Sequence, residues 1–175
     1  MKNIIPKDCK VKVSSTLDSS SGKKYLLDGS DETCWSSAQG LPQTIHLSWS
    51  ELIPATHFAL TFQGGFSGTT ASVYIAASRP GGQTPLELGM AFAGKVYPKD
   101  SNARQVFEIP MPEGLADSVH DEQHPLSPTF SESASPVRPV NPEDDRDWIR
   151  EFRIEFEKSA DPWGRIVVYN IELLG

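Results

Sequence analysis

A chain of 175 residues is long enough to bury one sizeable core, and its 38% hydrophobic share with 14 Pro and 13 Gly describes a domain rich in turns. The net charge of -7 is confined to residues 113–147, which hold nine acidic and two basic side chains; the remainder balances at 14 of each. That balance argues against a nucleic-acid surface, and no run is apolar enough for a membrane span.

The N-terminal MKNIIPKDCKVKV lacks the apolar core of a signal peptide, and Cys9 and Cys34 are the two cysteines. An intracellular chain with free thiols is expected, in preference to a Cys9–Cys34 disulfide. Next comes YLLDGSDETCWSS (25–37). Asp28-Gly29 is a strong turn former, Thr33 ties down backbone, and Trp35 reads as core. The same run of carboxyl and hydroxyl oxygens also suits a loop around a hard cation.

From there the pattern is period two. QTIHLSWS (43–50), HFALTFQG (57–64) and ASVYIAAS (71–78) alternate, and residues 86–98 and 104–110 read as strands around a loop at Lys99-Asp100-Ser101. WIREFRIEFEKS (148–159) is clearest, with Phe152, Ile154 and Phe156 facing one way and Arg153, Glu155 and Glu157 the other. GRIVVYNIELLG (164–175) closes the chain. Short strands between Gly, Pro, Asn and Asp turns predict an all-β fold, an antiparallel sandwich or jelly roll, in a single domain, residues 1–175, with little helix. Residues 113–147 depart from this, with five Pro, many Ser and one aromatic, Phe130. Too little apolar surface stands there to offset the entropy of ordering, which predicts a flexible insertion between two strands.

Chemistry is sparse. HDEQH (120–124) imitates a zinc-protease pair, but its Glu is one place late and it lies in the Pro/Ser-rich stretch. His46 and His57 fall on strands as parts of polar faces, and no nucleophile triad, phosphate loop or CxxC is present. A non-catalytic protein is expected. The loop tips are better placed for binding: QGGFSGTT (63–70) sets Phe66 after Gln63, Gly64 and Gly65, and SADPWGR (159–165) sets Trp163 beside Asp161 and Arg165. Such rings suit a partner surface, a peptide or a stacked sugar; alternatively they fold inward and cap the end of the sandwich.

Three marks in order, YLLDGSDETCWSS, FQGGFSG and DPWGRIVVYNIELLG, resemble the discoidin, or factor V/VIII C-type, superfamily of galactose-binding-like jelly rolls. More narrowly, the chain resembles the single-domain nuclear-receptor-associated proteins. The resemblance covers residues 9–112 and 148–175; the terminal disulfide of secreted members has no counterpart, and the insertion is longer than usual. It implies an adaptor of nucleus or cytoplasm, not secreted, with a protein partner such as a nuclear receptor or transcription factor, and no direct contact with nucleic acid or membrane. A carbohydrate-binding module or a structural subunit of a larger complex are the alternatives. It also implies a calcium site from the Tyr25 carbonyl, Asp28, Ser30, Thr33, the Tyr169 carbonyl and Asn170. The last stands where sugar-binding relatives carry Glu, which removes one charge.

Overall fold

Alternation in the sequence becomes two facing sheets. The computed structural model describes residues 1–78, 89–111 and 148–175. HDEQH, the 113–147 stretch and residues 86–88 of one expected strand lie outside them. Among the described residues nine strands form: β1 (Lys10–Val13), β2 (Trp35–Ser36), β3 (Gln43–Ile53), β4 (His57–Phe62), β5 (Gly68–Ser78), β6 (Ala91–Val96), β7 (Gln105–Glu108), β8 (Trp148–Ser159) and β9 (Val167–Leu174). One sheet runs β1-β3-β8-β5-β6 and the other β2-β9-β4-β7, with every pairing antiparallel. No helix among the described residues is long and apolar enough to cross a membrane. Among the described residues helix is limited to the 3-10 turns Ser19–Ser21 and Lys23–Leu27.

Register carries the core. Ile45 lies opposite Ile154 and Leu47 opposite Phe152, so one face of β3 and β8 is continuous hydrocarbon. Phe152, Ile154 and Phe156 are fully buried, each adding about 1.5–3 kcal/mol of burial. Phe58 of the second sheet meets Phe152 at 5.0 Å between centroids, and Phe62 meets Phe156 edge-on at 5.7 Å. These ring pairs tie the two layers together. Trp35 is fully buried, its indole N–H donating to the Ser15 carbonyl at 3.0 Å.

The expected strands are present with shifted ends: the 57–64 strand stops at Phe62, the 71–78 strand starts at Gly68, and the 43–50 strand runs to Ile53 through a register shift after Ser48. β2 escapes sequence reading because two residues are too short for periodicity, and β1 goes unread although its Lys-Val-Lys-Val alternates. Both cysteines are free and half-buried, and that burial pushes their thiols upward.

Candidate functional site

One end of the sandwich is a rim in which distant loops lock together. The turn after β4 and the loop after β8 are zipped by backbone bonds: Gln63 N–H to Val167 O, Val167 N–H to Phe66 O, and Ala160 N–H to Ser67 O. Two side chains of the 97–104 loop hold the glycines: Asn102 accepts from the Gly64 N–H at 2.6 Å and Asp100 from the Gly65 N–H at 2.8 Å. On the other flank the Trp163 carbonyl accepts from the Gly40 N–H at 2.8 Å. Gly164, at φ +78°, allows this approach; a Cβ there would meet Leu41 at 2.9 Å and Gly40 backbone at 3.1 Å.

Arg165 is the centre of the rim. Its guanidinium carbon lies 5.0 Å from the Phe66 ring centroid and 5.8 Å from that of Trp163. Its Nε pairs with Asp161 Oδ2 at 3.1 Å, and Asp161 is only 6% exposed. The Arg165 hydrogen bonds hold the Asp161 carboxyl below its ordinary value. Trp163 is 61% exposed, whereas Phe66 is half-buried beside the guanidinium. The rim residues read from sequence are thus brought together, and Trp163 points out while Phe66 is partly capped. Asp100, Asn102, Gly40 and Leu41 escaped the sequence reading. An Asp and an Asn in a loop facing a Gly-Gly turn were the available signal, since such side chains bond backbone N–H groups.

The Asp28 corner is closed by its own donors. Asp28 Oδ2 accepts from the Thr33 hydroxyl at 2.6 Å and Oδ1 from the Ser30 N–H at 3.0 Å, and the first of these chiefly lowers its pKa. Ser30 Oγ accepts from the Glu32 N–H at 3.2 Å. Gly29 and Asp31 share a polar groove of about 680 Å³ with Tyr169 and Asn170, so the corner and the last strand do meet. There Arg104 grips Glu172 with two bonds of 3.0 and 2.7 Å, and the Asn170 amide donates to Glu172 at 3.0 Å. Tyr25 sits in the adjoining 3-10 turn. Asp28 is the one carboxylate of the expected calcium set, and each of its oxygens accepts one hydrogen bond. Among the described residues no group of three or more His, Cys, Asp and Glu is arranged to hold a metal. His46 Nε2 pairs with Glu151 at 2.9 Å and His57 Nδ1 meets the Thr56 hydroxyl at 2.8 Å.

No family profile matches the chain. It is similar to the nuclear receptor 2C2-associated protein of Xenopus laevis, 30% identical over 154 residues spanning 88% of this chain and 82% of that protein. The human protein of that name is 29% identical, over 94% of this chain and 89% of its own. In fold it is similar to the family 32 carbohydrate-binding module of Clostridium perfringens NanJ in complex with galactose (TM-score 0.61, 12% identity, covering 98% of this chain and 97% of that one). It is likewise similar to the F5/8 type C domain of a Bacteroides fragilis protein (TM-score 0.61, 15% identity, 94% and 89%). The antiparallel jelly roll that the resemblance implied is therefore the fold found, and the chain belongs to the nuclear receptor 2C2-associated protein family.

Proposed function

We propose that the chain is a non-catalytic binding module whose rim, centred on Phe66, Trp163 and Arg165, takes a protein partner. The observation that carries this reading is Trp163: an indole 61% exposed beside an arginine that a buried carboxylate holds in place. A large exposed ring next to a fixed cation is the composition of an interface anchor. The names of the relatives point to a nuclear receptor or another transcription factor as that partner. A place in the nucleus or cytoplasm goes with it, and the two unpaired thiols suit a reducing compartment.

Carbohydrate is the second reading, favoured by the same exposed indole, which offers a sugar a flat stacking face. Tagged parent and Trp163→Ala proteins are to be used in parallel for affinity capture from the native source, and titrated with galactose. A captured protein lost with Trp163→Ala supports the adaptor. Galactose binding lost with the same change supports the second reading. Capture unaffected by the substitution removes the rim from the function.

A further inference from the structure

We propose that the groove between β1 and the 3-10 turn Lys23–Leu27 docks an extended acidic segment of a partner protein, one that alternates carboxylates with apolar side chains. The groove encloses about 520 Å³. Its floor is apolar: Cys9, Val11 and Leu27 are half-buried and pack against the core. Four exposed lysines line it, Lys10 and Lys12 from the strand and Lys23 and Lys24 from the turn. Among the described residues none of the four forms an ion pair, and Lys24 rests over the Tyr25 ring at 4.8 Å.

Among the described residues no acidic side chain lines this groove. The acids nearest in the chain make their hydrogen bonds outside the groove: Asp8 accepts from Ser50, Asp18 caps Ser20, and Asp28 holds Ser30 and Thr33. Among the described residues the charge of Asp8 reaches Lys10, and no carboxylate pairs with any of the four lysines; like charges thus crowd an apolar floor, and an acidic ligand relieves their repulsion. Lysines on an edge strand also guard against strand pairing, which would account for Lys10 and Lys12. It does not account for Lys23 and Lys24, which come from another element.

β1 ends its sheet, and among the described residues its outer edge pairs with no strand. An extended peptide added there would bond β1 through its backbone, set its carboxylates among the lysines and its apolar side chains on the floor. A concave floor disfavours a flat anionic membrane, and a lining without aromatic or arginine side chains disfavours nucleic acid. None of the lining residues belongs to the rim loops, so the site stands apart from Phe66 and Trp163.

The probe is a fluorescein-labelled peptide alternating Glu with Leu, followed by anisotropy on the full chain, with its Gln-for-Glu counterpart and polyglutamate as controls. Lys10→Glu/Lys12→Glu and Lys23→Glu/Lys24→Glu are each expected to weaken binding by about tenfold or more at low salt, and Lys→Gln pairs by less. Circular-dichroism melts are expected to stay unchanged, and Trp163→Ala to bind like the parent. Should a charge-reversed pair unfold, its Lys→Gln counterpart must show the loss. The proposal is overturned by a parent that does not bind, by charge-changed proteins that bind equally, or by polyglutamate binding as tightly as the alternating peptide. Binding to phosphatidylserine vesicles without peptide binding overturns it as well. So does a parent dimer that the lysine substitutions split, which would give the groove to a second copy.

Discussion

Asp161 holds Arg165 at both ends: its Oδ2 accepts from the Arg165 backbone N–H at 3.0 Å, and its two oxygens accept from Nε at 3.1 Å and Nη2 at 3.3 Å. Backbone and guanidinium are thereby fixed by one carboxylate, which leaves the cation between two rings. The Asp161 carboxyl is lowered by this contact, so its stabilisation is complete above the ordinary carboxylate range and lost as pH falls through the depressed folded value. Asp161→Asn is expected to melt below the parent at neutral pH, with the gap closing in acid. A gap independent of pH would refute the charge-based account.

Two tryptophans should behave oppositely. Trp35 is fully buried with its N–H satisfied, and Trp35→Ala is expected to cost about 3–5 kcal/mol in urea unfolding. Trp163, mostly in solvent, should cost no more than about 0.5 kcal/mol as Trp163→Ala. A large loss for Trp163→Ala would make it a structural cap.

At the start of β5, a Cβ on Gly68 would overlap the ring of Phe156, which is fully buried and already touches Phe62. Gly68→Ala is expected to cost about 1–3 kcal/mol by overpacking, read from the urea midpoint. An unchanged midpoint would mean the ring moves freely.

For the Asp28 corner, the melting temperature in calcium and in chelator should agree, since one carboxylate offers a hard dication little charge and Thr33 and Ser30 already close the turn around it. Asp28→Ala should melt lower in both. A rise in calcium that Asp28→Ala abolishes would instead establish an ion there.

Sequence alone determined the β architecture and the inward faces. Side chains alternate across a strand whatever lies opposite, so Ile45 and Leu47, or Phe152, Ile154 and Phe156, declare a buried face locally. The corner's Asp28 turn and the buried Trp35 were legible for the same reason, because turn chemistry acts within a few residues. Tertiary structure decided what sheet order brings together. Arg165 lies against Phe66 only because the loop after β8 folds beside the turn after β4, and Asn102 reaches Gly64 only across a change of sheet. The lysine groove exists only because the Lys23–Leu27 turn packs beside the edge of β1, a contact no period in the sequence encodes. Local spacing fixes which way a side chain points; which distant chain it meets is set by how the strands order themselves around the shared core.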